Sequence, residues 1–148
     1  MVVIDAAVDI ARPEPDVFAF VVRGENLPRW DSSILECARL DEGALGAGAR
    51  YRGASRLLGR RIEWTTEVVE YLPPRRATSV STSGPLQFTV TYEVAPGPAG
   101  ARLSYRIASH SGLSGTFGRT LEPIVERAQA KVVRANLDVL ARLLEQQS

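Results

Sequence analysis

Few side chains in this chain are suited to acid–base or nucleophilic chemistry. His110 is the single imidazole and Cys37 the single thiol among 148 residues. No serine or cysteine triad can be read from that inventory, and one His plus one Cys cannot supply the three or four nitrogen and sulfur ligands of a transition-metal site. Tyr51, Tyr92 and Tyr105 lie in alternating, strand-like runs and can donate hydrogen bonds. An unperturbed phenol titrates near ~10 and is a poor base at neutral pH. Arg60 is the strand arginine whose alternation turns it inward, at a hairpin tip where rim exposure is the plainer outcome. Asp31 follows Trp30 and either stands at a site entrance or caps the turn after it. His110 shares its alternation with Arg102 and Arg106, on the outward face or at a strand end. The glycines Gly43, Gly46 and Gly48 precede a strand rather than a helix, so they lack the helix dipole that phosphate loops use. No convergent pair of ionisable groups is readable, and no residue is singled out as catalytic.

The elements that must position these groups are clearer. From Thr120 to Glu145 the chain reads as one amphipathic helix, roughly 35–40 Å long at ~1.5 Å per residue. Its apolar stripe is expected at Leu121, Ile124, Val125, Ala128, Val132, Ala135, Val139 and Leu143. Only a broad sheet could cover a helix of that length. Val2 to Ile10 alternates as a first strand. Pro13 opens a short helix with Glu14 and Asp16 at its positive end, and Asn26 is placed to cap a second short turn through Trp30.

Six further strands follow in meander. Ile34 to Leu40 is the first of them. Ala49 to Leu57 and Arg60 to Leu72 pair about Leu58-Gly59, with Leu57 opposite Arg60 and Arg50 opposite Glu67. Ala77 to Thr82, Leu86 to Val94 and Ala101 to Ser109 complete the run. The alternation turns Tyr51, Trp64, Phe88, Tyr92 and Tyr105 to one side of the sheet. The arginines of the third strand belong to its solvated side, where cross-strand ion pairs stabilise by only a few tenths of a kcal/mol, about 0.2–1 at most. Tight connections make consecutive strands antiparallel neighbours.

Size and composition set the remaining bounds. A chain of 148 residues with 45% apolar and 24% charged residues suits one globular domain, residues 1–148, with a core that needs no disulfide or metal. A net charge of +1 gives no support to nucleic-acid or membrane-surface binding. Lys131 is the lone lysine among 18 basic residues, a bias that a GC-rich genome explains. A single cysteine, no basic start before an apolar run, and no stretch of ~20 apolar residues together predict a cytoplasmic protein without a membrane span. No cofactor is expected, and a monomer and a homodimer are both compatible with the sequence.

Over almost its whole length the chain resembles the START-like, or SRPBCC, helix-grip superfamily, in its polyketide cyclase/dehydrase and lipid-transport branch. The likeness rests on Ile10–Val22, Asn26–Ile34, Gly43–Arg52, Glu67–Arg76, the strand–glycine–strand segment YEVAPGPAGARLSYRI, and a closing helix opened by LEPIVER. The resemblance implies an α+β helix-grip fold: a curved seven-stranded antiparallel sheet wrapped around a long C-terminal helix, with two short helices after the first strand. It also implies an internal cavity for a hydrophobic small molecule, lined by Trp30, Tyr51, Trp64, Phe88, Tyr92 and Tyr105. Arg60, His110 and Asp31 would be polar or gating positions, and the Gly43–Gly48 and Ser111–Gly115 loops would act as gates. The same aromatics could equally be plain core packing. Three functions fit: a carrier of a lipid, polyketide or isoprenoid; a cyclase or aromatase working by positioning and acid–base polarisation; or a protein-interaction module with a filled core.

Overall fold

The computed structural model describes residues 2–57, 59–110 and 116–147; residues 110 and 116–125 are described by backbone alone. Strand β1 (Val2–Ile10) leads into α1 (Glu14–Val21), a 3-10 turn (Gly24–Asn26) and α2 (Leu27–Trp30). Strands β2 (Ile34–Arg39), β3 (Arg50–Leu57), β4 (Arg60–Leu72), β5 (Arg76–Ser83), β6 (Gln87–Gly97) and β7 (Gly100–His110) follow, and α3 (Thr116–Glu145) closes the chain.

The seven strands form one antiparallel sheet in the order β1-β7-β6-β5-β4-β3-β2. Its alternation produces the two faces. Ile4, Tyr51, Trp64, Val68, Tyr92, Leu103 and Tyr105 are buried on the inner side. The outer side carries exposed ion pairs such as Asp9–Arg102 at 3.1 Å and Arg76 with Glu70 and Glu93 at 2.6 and 2.9 Å. The β3–β4 register has Leu57 opposite Arg60 and Arg50 opposite Glu67, as the sequence predicts. The ion pairs of that region nevertheless run from Arg61, to Glu36 at 2.7 Å and Glu63 at 3.5 Å. Register shifts in β2–β3 and twice in β4–β5 add the local bending and twist that curl a sheet.

Helix α3 packs along β1 and against α2. It starts four residues before the Thr120 of the sequence reading. Of the expected stripe, Val139 and Leu143 are half-buried against the core, while the side chains of Leu121, Ile124 and Val125 lie outside the described residues. Asn136, Leu137, Leu140, Ala141 and Leu144 are buried, whereas Val132 is 45% exposed and Ala128 and Ala135 are also exposed. Apolar residues lie around much of this helix, so periodicity alone allowed two stripes. The stripe holding three leucines in its last two turns buries more apolar area and is the one that meets the sheet. The helix end is fixed by Arg12, whose guanidinium donates to the Leu144 carbonyl at 3.0 Å, to the Gln147 carbonyl and to Asp16. A cation at these last carbonyls also complements the helix dipole. Gly100, at φ +143°, lets the β6–β7 turn close on Arg12; a Cβ there would come within 2.7 Å of the Arg12 carbonyl oxygen.

Asn26 does not cap α2. Its own backbone is helical, and its side-chain amide donates instead to the Phe20 carbonyl at 3.0 Å. That bond folds the second short helix back on the first, and Arg29 lies over the Phe20 ring at 5.2 Å. Trp30 is thereby delivered to the core at the end of α2. No helix among the described residues is long and apolar enough to cross a membrane.

Candidate functional site

The six aromatics expected to line a cavity separate into three groups. Trp30, Tyr92 and Tyr105 come together at the centre of the main core. The Trp30 ring meets Tyr92 edge-on at 6.5 Å and Tyr105 at 6.3 Å, and the two tyrosine rings lie 5.6 Å apart. Trp64 and Phe88 form a second, perpendicular pair at 5.9 Å. Tyr51 belongs to a smaller cluster with Ala49 and Val68.

The Trp64 group is locked. Its ring lies across β3 above Gly53, where a Cβ would fall 2.3 Å from the ring carbon Cη2. Its indole N–H donates to the Ser55 hydroxyl at 2.9 Å. The residues that hold this tryptophan, Gly53 and Ser55, were not singled out in the sequence. Gly53 was nonetheless legible, because the hairpin register that sets Leu57 opposite Arg60 also sets Gly53 opposite Trp64.

The Trp30 group is different. Trp30 is only 3% exposed, yet its indole nitrogen is buried without a hydrogen-bond partner. Among the described residues Trp30 Nε1 is the one buried side-chain nitrogen or oxygen with no partner. Burial pushes the Tyr92 phenol well up, with smaller contributions from Tyr105 and Asp31. Burial and the nearby Asp31 do the same at Tyr105. Both phenols therefore remain protonated and are able to donate.

Asp31 caps the turn after α2. Its Oδ1 accepts from the Ser33 N–H at 2.9 Å and the Ser33 hydroxyl at 2.7 Å. It also accepts from the side-chain amide of Asn136 at 3.2 Å, while the Ser32 N–H donates to the Asn136 carbonyl oxygen at 3.3 Å. Burial raises the Asp31 carboxyl above the usual range, and the Ser33 hydrogen bonds oppose that shift. Asn136 ties α3 to the α2–β2 turn that follows Trp30. The sequence signal for it was a lone amide at the spacing of Val133, Leu137 and Leu140.

Of the remaining polar positions, Arg60 is exposed at the hairpin tip. His110 ends β7 opposite Gln87, and its side chain lies outside the described residues, as does the Ser111–Gly115 segment. The Gly43–Gly48 loop is braced. Arg39 donates to the Gly43 carbonyl at 2.9 Å and pairs with Asp41 at 2.9 Å, and the Gly48 N–H donates to Val68 at 2.7 Å. Tyr51 packs on Gly24, where a Cβ would stand 2.6 Å from its ring. Burial and Glu25 push both Tyr51 and the neighbouring Cys37 up to about 12. Two surface depressions lie elsewhere. One of about 380 Å³ surrounds the β5–β6 turn and includes Phe88; the other, about 420 Å³, involves Asp5, Thr91, Glu93, Tyr105 and Arg106. Neither reaches Trp30 or Tyr92.

A curled antiparallel sheet closed by a long C-terminal helix, with an aromatic interior, defines a START-like helix-grip protein. Residues 1–145 match the family described as polyketide cyclase / dehydrase and lipid transport, and the chain belongs to that family. No curated protein sequence matches it. Among solved structures, the chain is similar to TTHA0849 of Thermus thermophilus, at 19% identity and a TM-score of 0.81, over 96% of each chain. It is similar over the full length of both chains to a START superfamily protein from Mycobacterium smegmatis, at 16% identity and a TM-score of 0.78. It is also similar to the ZhuI aromatase/cyclase of Streptomyces sp. R1128, at 14% identity and a TM-score of 0.77, over 97% of this chain and 93% of that one. At these identities the likeness is one of fold.

Proposed function

We propose that this protein binds a hydrophobic small molecule, of polycyclic, acyl or isoprenoid type, between the inner face of the sheet and α3. The observation that carries this reading is the Trp30–Tyr92–Tyr105 cluster, an aromatic interior in which the indole N–H of Trp30 is buried without a partner. A buried, unsatisfied donor costs about 1–3 kcal/mol. Such a cost is offset when a guest supplies the missing acceptor, and apolar pockets with a few placed polar groups are the usual form of small-molecule sites. Membership of a family of cyclases and lipid carriers supports the same class of ligand.

The enzyme reading, a cyclase that polarises a carbonyl, is favoured by one feature only: the two phenols stay protonated and can donate to a carbonyl oxygen. Among the described residues no base of ordinary strength is paired with them, and binding is the reading the cluster supports best. The test is native mass spectrometry of freshly purified protein, followed by organic extraction of whatever is released. A co-purifying lipid or polycyclic compound is expected. A clean apo mass, with no thermal shift across a panel of lipids and polyketides, would overturn the proposal.

A further inference from the structure

The chain contains two tryptophans, and they differ in one atom's fate. The Trp64 N–H is satisfied by Ser55 at 2.9 Å. The Trp30 N–H is buried and has no acceptor. The carboxylate next to it in the chain is engaged elsewhere, since Asp31 spends its Oδ1 on Ser33 and Asn136. The side chains whose rings meet Trp30 edge-on are Tyr92 and Tyr105, both of which also bring an O–H. The indole N–H can only donate, whereas each phenol can donate or accept, so the unpartnered group of this interior is a donor. The chemistry that complements it is an oxygen with free lone pairs on an otherwise apolar body.

We propose that the indole N–H of Trp30 is the specificity-determining donor of the site, reserved for a carbonyl or phenol oxygen of the ligand. The protein would then select oxygen-bearing ring systems over hydrocarbons of the same shape. This inference rests on the binding reading above. Uniform apolar packing cannot produce such a preference, because a single carbonyl oxygen changes shape little but leaves or fills a buried donor. A buried water on the indole N–H is the competing occupant, and it predicts no preference between matched ligands.

The test uses 9-fluorenone and fluorene, which differ by one carbonyl oxygen, titrated into the full-length protein by calorimetry. About tenfold tighter binding of fluorenone is expected in the wild type, equivalent to one well-made buried hydrogen bond. Trp30→Phe keeps an aromatic ring and removes the N–H, and should bring the two affinities to within about threefold. Equal affinities in the wild type, or a preference unchanged in Trp30→Phe, would overturn the assignment of Trp30 while leaving a binding cavity in place. Binding of neither compound would count against the cavity reading itself, and the donor assignment with it. If the variant does not fold, equal wild-type affinities still overturn the assignment. A downfield move of the Trp30 indole N–H signal on adding fluorenone to the wild type then supports it, whereas an unmoved signal overturns it.

Discussion

The two tryptophan environments on the inner side of this sheet are built from similar parts to different ends. At Trp64 every device favours permanence: a glycine beneath the ring, a serine at its N–H, and a perpendicular phenylalanine beside it. At Trp30 the ring is as well buried, but its indole N–H is left without a partner. Satisfied polar groups rigidify a core, whereas unsatisfied ones lower its stability. The difference teaches that aromatic residues of one sheet face can divide between scaffold and receptor, and that hydrogen-bond accounting, rather than burial, distinguishes them.

The contrast is most forcefully broken at Gly53. Gly53→Ala would drive a methyl group into the Trp64 ring and toward the Glu36 carbonyl, 2.8 Å from the new Cβ. A loss of about 2–3 kcal/mol is expected, measured by denaturant unfolding, with the fluorenone preference retained. A smaller effect separates the tryptophans themselves. Trp64→Phe forfeits the hydrogen bond to Ser55, while Trp30→Phe forfeits none. In the same unfolding assay Trp64→Phe should therefore be the more destabilising by about 1 kcal/mol, and the reverse order would erase the distinction.

The smallest effect concerns Asp31, which positions Trp30. Its folded-state carboxyl titrates above its unfolded value because burial disfavours the charged form. The native state then binds the proton more tightly than the unfolded chain does. This contribution to stability is full at pH below the unfolded carboxylate value and is lost as pH rises through the raised one. Asp31→Asn keeps an oxygen for Ser33 and Asn136 and removes the charge. The melting temperature of the variant relative to wild type should rise from acid to neutral pH; a flat difference would show that Asp31 carries no such burden.

Much of the fold was legible because its signals are local and repeated. Alternation gave the inward positions of β3, β4, β6 and β7, and one hairpin turn set a register that runs from Leu57–Arg60 to Arg50–Glu67. The helix face was legible only in part: Val139 and Leu143 pack on the core, but α3 is apolar on two sides and only contact with β1 decides between Val132 and Leu137. Asn26 was misread because a capping residue type also serves a longer bond, here to Phe20. For the candidate site, alternation put Tyr92 and Tyr105 on one face, and their adjacency follows from the β6–β7 pairing. What alternation could not give was the unpartnered nitrogen of Trp30, or the anchoring of its turn by Asn136 from a residue 105 positions away from Asp31. Those depend on how distant elements meet, and no local spacing encodes them.

The most direct test of the claim that one tryptophan is receptor and the other scaffold is a nitrogen-15 NMR titration of the two indole N–H signals with 9-fluorenone. The Trp30 signal should move downfield as its N–H gains an acceptor, while the Trp64 signal, already bonded to Ser55, stays in place. A Trp30 signal that does not move at saturating ligand, or a Trp64 signal that moves in its stead, would contradict the account.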